Sequence, residues 1–151
     1  MAFDLELRAS HELFRVQSGS TIITGAAVLG DGERIALAIT GDERGTRVAV
    51  VTPPGTEMAD LTKIDATTRP QLVWCADRNS ILASGRIGGT QSIWRIPADG
   101  GAPQRLTINE TGITEVRLSE EGTRLAFTKS PNRPREVWAY HLSSSSRKIK
   151  N

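Results

Sequence analysis

Residues 92–107 read SIWRIPADGGAPQRLT. The stretch opens with a short apolar and aromatic run, turns through two glycines and closes with Leu-Thr. Two further stretches share this layout, TRVAVVTPPGTEMADLT at 46–62 and REVWAYHLSSSSRKIK at 135–150. Val48, Ile93 and Val137 correspond in the three copies, 45 and 44 residues apart. The stretch is therefore one copy of a segment that the chain repeats.

The repeat extends upstream of these segments. GDGERIALAIT at 30–40, ADRNSILASGR at 76–86 and SEEGTRLAFTK at 119–129 each place a polar turn before a short apolar run. A further short run precedes each turn, at 26–29, 71–75 and 114–118. The repeating unit is therefore about 45 residues long and occurs three times.

Each unit reads as four short β-strands. In the second unit they fall at about 71–75, 80–84, 92–97 and 104–107, and Asp, Asn, Gly and Pro lie at their ends. No window keeps the apolar spacing of a helix. Four antiparallel strands every 40–45 residues are typical of β-propeller blades, so the sequence predicts an all-β fold of four-stranded antiparallel blades.

Side-chain size along the unit adds two expectations. Trp94 and Trp138 fall at one position of the third strand and are predicted to pack between neighbouring blades, and not to form a ligand cage. Small residues in the first two strands suit a crowded hub. They are Ala26, Ala27, Ala36, Ala38, Ala83 and Ala126.

Residues 70–107 resemble the repeat of TolB-type, WD-repeat-like bacterial propellers. The matching residues are Pro70, Trp74, Asp77, Ile81, Gly88, Gly89, Ile93, Trp94, Gly100, Gly101, Leu106 and Thr107. The third unit fits through Ser119, Gly122, Leu125, Ala126, Phe127, Val137 and Trp138, and the first through Asp31, Gly32, Ile35, Ala36, Leu61 and Thr62. Ala76 replaces the usual proline, and no Trp-Asp dipeptide occurs. The propeller of prolyl-oligopeptidase-like peptidases is similar as well.

The N-terminal region resembles part of a unit, because Leu13 and Phe14 stand where Ile93 and Trp94 stand in the second unit. We therefore expect a partial blade at 1–24 and blades at 25–65, 66–110 and 111–151. About three whole blades leave bare strand edges, which favour pairing with another chain. A fragment or half-propeller is the favoured interpretation, followed by a homodimer that closes the propeller and then by a different partner that covers the edges.

The composition is that of a globular domain, with 151 residues, 38% of them hydrophobic and 24% charged. A net charge of +2 gives no basis for nucleic-acid binding, and Arg147, Lys148 and Lys150 are read as a solvated end. No apolar run approaches the ~18 residues of a membrane span, so no membrane insertion is expected. The N-terminus does not read as a signal peptide. The sequence as it stands predicts a cytoplasmic location, or a periplasmic one if a leader has been removed.

No catalytic, cofactor-binding or metal-binding residues are predicted. Cys75 follows Trp74 in an apolar run and is expected to be a buried, inert thiol. His11, in a predicted loop, and His141, at the end of a third strand, are read as surface residues. No Gly-x-Ser-x-Gly elbow and no phosphate-binding loop occurs, and GRIGGT at 85–90 is predicted to be a hairpin turn.

Acidic residues recur in the turn between the first two strands of each unit. They are Asp31, Asp77, Glu120 and Glu121. Turn chemistry accounts for them, because an aspartate there accepts hydrogen bonds from the backbone that follows it. A ring of acids that binds a cation or a basic peptide stays open as the alternative.

The sequence predicts a non-catalytic β-propeller interaction module that binds a protein partner through its loops. The alternative is the gating propeller of a prolyl-oligopeptidase-like serine peptidase whose catalytic domain lies outside this sequence. A third setting is a sensor propeller attached to a DNA-binding domain. All three rest on the fold, which is a weak basis for function.

Overall fold

The computed structural model describes residues 2–4, 9–11, 21–30, 32–41, 45–53, 57–65, 70–107, 112–129, 136–142 and 147–149. All of the regular elements in these ranges are β-strands. Across the same ranges there is no helix with the length and apolar character needed to cross a membrane.

Twelve of the strands form three four-stranded antiparallel sheets, each with its strands in chain order. The first sheet contains β3 (Ile22–Val28), β4 (Ile35–Gly41), β5 (Gly45–Val51) and β6 (Met58–Ile64). The second contains β7 (Leu72–Trp74), β8 (Ser80–Ile87), β9 (Thr90–Pro97) and β10 (Gln104–Arg105). The third contains β11 (Ile113–Leu118), β12 (Arg124–Lys129), β13 (Glu136–His141) and β14 (Arg147–Ile149). A separate hairpin pairs β1 (Ala2–Asp4) with β2 (Ala9–His11). The predicted all-β fold of four-stranded antiparallel blades is confirmed.

Strand register confirms that the three sheets are copies of one unit. Val48 pairs with Ala38, Ile93 pairs with Ser84, and Val137 pairs with Thr128. The three residues that correspond in the sequence therefore occupy the same place in each sheet. Because side chains alternate between the two faces of a strand, equal register also puts corresponding residues on corresponding faces.

The turn between the first two strands has one conformation in all three sheets. Gly32, Arg78 and Gly122 have φ angles of 76°, 59° and 71°. The backbone N–H of each donates to the carbonyl three residues earlier, at 2.7, 3.0 and 2.8 Å. Glycine adopts this left-handed backbone at little cost, whereas a residue with a Cβ is disfavoured there by about 1–2 kcal/mol. In the second sheet Arg78 adopts this conformation although it carries a Cβ.

The sheets pack face to face in chain order. We call the face of a sheet that points towards the next sheet its forward face, and the opposite side its back face. Between the first and second sheets, Ala36, Val48 and Val50 of the forward face meet Ile81 and Ile96 of the back face. Residues of both faces are fully or almost fully buried in this contact, which shows that the two sheets approach closely.

The second and third sheets share one apolar core. Leu82 and Ile93 pack against Val116, Leu125 and Phe127, and all five residues are buried. Trp138 packs against this core, and Trp94 packs against the core between the first two sheets. The predicted packing role of these tryptophans is confirmed. Ala36 and Ala83 lie between the first and second sheets, and the expectation that small residues of the first two strands suit a crowded hub stays a prediction.

The forward face of the third sheet is uncovered. Val137 is 78% exposed, whereas its counterparts Val48 and Ile93 are fully buried. At the other end of the row, β3 exposes two large apolar residues on the back face of the first sheet, Ile23 at 43% and Val28 at 61%, because they pair with Ile39 and Ile35 of that face. On β4 and β5 the back face of the first sheet holds a cluster of buried apolar residues. Its members are Ile35, Leu37, Ile39, Ala49 and Val51.

The prediction that His11 lies in a loop is wrong, because it ends β2 and pairs with Ala2. Its short polar segment has a weak strand signal, and the pairing with β1 supplies the structure. The correspondence of Leu13 and Phe14 with Ile93 and Trp94 lies outside the described residues. The predicted division into blades at 25–65, 66–110 and 111–151, after a partial blade at 1–24, stays a prediction. Ile87 pairs with Thr90 across Gly88 and Gly89, so the predicted hairpin turn is confirmed.

Candidate functional site

A cavity of about 440 Å³ lies between the second and third sheets, at the end where their first turns meet. Its buried wall is apolar and consists of Cys75, Leu82, Leu106, Leu125 and Leu142. Its more exposed rim is polar and includes Asp77, Arg95, Glu121 and His141. Concave sites with an apolar wall and a few fixed polar groups are where proteins bind ligands. We therefore treat this interblade cavity as the candidate functional site.

One side of the rim is held by a network centred on Asp77. Its Oδ1 accepts hydrogen bonds from the backbone N–H groups of Asn79, at 2.9 Å, and Ser80, at 3.0 Å. Arg95 Nη2 donates to Oδ2. The Ser80 hydroxyl donates to the same oxygen at 2.8 Å and accepts from Arg95 Nε at 2.9 Å. The predicted turn role of this aspartate is therefore confirmed, and the network also fixes the Arg95 guanidinium at the rim.

The surroundings of Asp77 favour its charged form. Desolvation by burial raises the pKa of its carboxyl, but hydrogen bonds from Asn79, Ser80 and Arg95 outweigh burial and leave that pKa below its usual value. Asp77 is therefore ionised at neutral pH.

Cys75 shows the opposite balance. Its side chain is buried, and desolvation raises the pKa of its thiol. The nearby Asp77 carboxylate raises that pKa further, while a hydrogen bond with Ser80 and the charge of Arg95 lower it. The thiol is therefore protonated at neutral pH, as expected of a buried, inert cysteine.

The third sheet supplies the opposite wall. Tyr140 stacks on Phe127 with their ring centroids 5.5 Å apart, which fixes the ring beside the cavity. The turn that carries Glu121 lies close to the second sheet, because a Cβ on Gly122 would come within 2.7 Å of the Cβ of Ala76. Two rigid turns therefore bound the cavity.

A buried polar pair, of which Thr107 lines the cavity, was not anticipated from the sequence. Thr107 is 1% exposed, and its hydroxyl lies 2.9 Å from the Ser92 hydroxyl and accepts from the Ile93 N–H at 3.0 Å. The recurrence of Leu-Thr at 61–62 and 106–107 was the available signal. These bonds hold the end of the second unit against β9, beside the cavity.

The described lining residues hold no activated nucleophile. The Cys75 thiol is protonated, and the Ser80 hydroxyl donates to the Asp77 carboxylate and accepts from Arg95 Nε. In the described ranges no three His, Cys, Asp or Glu side chains are grouped so that they could hold a metal ion. The arrangement suits binding.

The structure brings together only some of the residues that the sequence singled out. Asp77, Cys75, Glu121 and His141 line the cavity. Glu120 lies in the same turn as Glu121, is exposed and does not line it. Asp31 lies outside the described residues. Arg95, which sets the geometry of the rim, was not singled out from the sequence.

No family model and no curated protein matches the sequence. Solved structures do match. A TolB-like protein from Agrobacterium tumefaciens is similar at 18% identity and a TM-score of 0.65, over 89% of this chain and 46% of that one. A chain of a nidogen/laminin complex is similar at 13% identity and a TM-score of 0.65, over 85% of this chain and 48% of that one.

A puromycin-hydrolyzing peptidase from Mycobacterium tuberculosis matches at 19% identity and a TM-score of 0.60, over 87% of this chain and 22% of that one. The chain thus spans about half the length of the first two proteins and less than a quarter of the peptidase. At these identities the likeness concerns the fold. The chain is built of β-propeller blades that are similar in fold to those of TolB.

Proposed function

We propose that the chain is a non-catalytic β-propeller interaction module that binds a protein partner at the interblade cavity. The observation that carries the proposal is the composition of that cavity, with an apolar wall closed by a polar rim of fixed geometry. A side chain of a partner can fill the apolar part while the rim groups bind its backbone or its neighbours.

Rigidity of the rim supports the same proposal. The turns of the second and third sheets are held by i to i+3 backbone bonds of 3.0 and 2.8 Å, and the Asp77 network holds Arg95. Groups that are ordered before binding lose little conformational entropy when a partner arrives. Binding residues commonly lie on loops of this kind, supported by a rigid scaffold.

Site-specific photo-crosslinking tests the proposal. A photoreactive amino acid replaces Glu121 at the rim, and in the control it replaces Arg86, an exposed residue near the opposite end of β8. We expect one protein to be crosslinked through position 121 and not through position 86. Equal crosslinking at both positions, or none at 121, would contradict the proposal.

The peptidase alternative predicts a different result. The likeness to the mycobacterial peptidase is one of fold, and the described lining residues favour binding. If the chain serves as a gate, the crosslinked partner is a hydrolase domain. We expect the purified chain to show no turnover of peptide substrates, and turnover abolished by one point mutation would contradict this.

We also propose, from the exposed Val137, that the forward face of the third sheet associates with a second copy of the chain. Its counterparts Val48 and Ile93 are fully buried by a neighbouring sheet. At the other end of the row, the exposed large apolar residues described on the back face of the first sheet are Ile23 and Val28 of β3, so we propose that this strip meets the second copy. Light scattering coupled to size exclusion should give the mass of two chains. Val137→Glu should reduce it to the mass of one chain.

The cytoplasmic location stays a prediction from the N-terminal sequence, with a periplasmic one if a leader has been removed. The absence of nucleic-acid binding stays a prediction from the low net charge. Cell fractionation tests the location, and a gel-shift assay tests nucleic-acid binding.

A further inference from the structure

We infer that the interblade cavity recognises a partner segment in which an aliphatic side chain has a basic residue next to it. This inference rests on the proposed function and names the chemistry of the segment. It follows from the wall and the charges of the rim.

The apolar wall selects an aliphatic side chain. Leu82 and Leu125 are fully buried, Cys75 is 8% exposed, and Leu106 and Leu142 complete the wall. A volume of about 440 Å³ leaves room for a side chain of leucine size together with adjoining backbone. A polar side chain would lose its hydration there with no hydrogen-bond partner on the leucine side.

Charge at the rim favours a cation. Asp77 and Arg95 form an ion pair and neutralise each other. Glu121 lies across the cavity, is exposed, and has no ion-pair partner among the described residues. Its carboxylate is therefore the excess charge of the rim, so a lysine or arginine complements it.

Arg95 supplies the bond to the backbone of the segment. Its Nε donates to Ser80 and its Nη2 donates to Asp77. Its Nη1 group has no acceptor within the described part of the chain, and the guanidinium is held in place by the other two bonds. A free donor of fixed direction beside an apolar wall suits the carbonyl oxygen of an extended peptide.

The sequence provides its own reporter for the cavity, because Cys75 is the single cysteine of the chain and lines the wall. A peptide that occupies the cavity must slow alkylation of this thiol. The probe is acetyl-Ala-Leu-Lys-Ala-amide, compared with the same peptide carrying Ala for Leu or Gln for Lys. The dependence of the alkylation rate on the peptide concentration gives the Kd.

The replacement of leucine should weaken protection by more than about tenfold, because three carbon groups leave the apolar wall. The replacement of lysine should weaken it by about threefold, as is usual for an exposed ion pair. In the protein, Glu121→Gln should reproduce the loss for the lysine peptide. Glu120→Gln is the matched control, because it removes the same charge from the same turn outside the cavity.

The inference is overturned if no peptide protects Cys75 at millimolar concentration, if the three peptides protect equally, or if both glutamate variants behave alike. A partner crosslinked through position 121 together with such a result would leave the proposed function standing and refute only the segment chemistry. Absence of any crosslinked partner at position 121 would refute the proposed function itself.

Discussion

The indole N–H of Trp74 donates a hydrogen bond of 2.9 Å to the backbone carbonyl of Ala27. The donor belongs to the second sheet and the acceptor to the first, so the bond joins two repeating units. The Arg34 guanidinium lies 5.0 Å from the centroid of the same indole ring. Trp74 therefore contributes three interactions to the contact between the first and second sheets, namely apolar packing, a hydrogen bond and a cation–π contact.

Trp74→Phe should keep the aromatic packing and lose the hydrogen bond to Ala27. The bond between the two sheets is then lost, while Ala27 keeps its pairing with Ala36, and we expect the free energy of unfolding to fall by about 1 kcal/mol in urea titrations. Trp94→Phe is the control, because its indole N–H bonds to Gly85 within the second sheet at 3.0 Å. When Arg34→Met is combined with Trp74→Phe, the changes in unfolding free energy should not add, whereas they should add when it is combined with Trp94→Phe. Equal coupling in both double variants would contradict the contact between Arg34 and Trp74.

The Asp77 network should make stability sensitive to acid. The pKa of Asp77 is lowered in the folded protein, so its contribution is present above the unfolded value of about 3.9 and is lost as the pH falls through the lower folded value. We expect the stability difference between wild type and Asp77→Asn to be largest at neutral pH and to shrink below pH 4. Urea midpoints at pH 7, 5, 4 and 3 measure it, and a difference that stays constant would be inconsistent with the network.

Two equivalent glycines separate backbone strain from steric contact. Gly32 and Gly122 both have positive φ, but a Cβ on Gly32 meets nothing within 4 Å, whereas one on Gly122 lies 2.7 Å from the Cβ of Ala76. Gly32→Ala should cost about 1 kcal/mol from the backbone alone. Gly122→Ala should cost clearly more, because the two turns beside the cavity must move apart. Thermal unfolding of both variants gives the comparison, and equal costs would show that the turns are not in close contact.

Cys75 should react slowly with iodoacetamide in the folded protein. Burial limits access, and desolvation raises the pKa of the thiol, so the thiolate fraction is small at pH 7.5. Denaturation should accelerate the reaction by at least about tenfold, and the folded rate should still be rising with pH above about 8.5, the usual value for cysteine. A folded rate equal to the denatured rate would show an accessible, ordinary thiol. Mass spectrometry measures both rates.

The repeat predicts the sheets well, because strand patterns and turn residues are local. The correspondence of Val48, Ile93 and Val137 is reproduced residue by residue in the strand register. The turn at Asp77 was also predictable, since its partners lie two and three residues away.

The cavity could not be predicted in the same way, because it depends on how two sheets pack. Arg95 reaches Asp77 across 18 residues of sequence, and Glu121 faces them from the next unit. The period of the repeat places Asp77 and Glu121 in equivalent turns, but it does not predict that the two turns bound one cavity or that Arg95 reaches Asp77. The β2 strand at His11 was missed for a similar reason, since its pairing with β1 is what defines it.

The uncovered forward face of the third sheet has a consequence for the order in which the sheets unfold. Among the described residues on that face, Arg117, Ala126, Thr128, Val137 and Ala139 are all at least partly exposed. The second sheet, in contrast, is covered by apolar neighbours on both faces. In a row of repeats each contact between neighbours adds its own share of stability. In the single chain, as in the Val137→Glu variant, backbone amides of β12 and β13 should therefore exchange their hydrogens with deuterated water sooner than those of β8 and β9, so that unfolding spreads from the third sheet inwards.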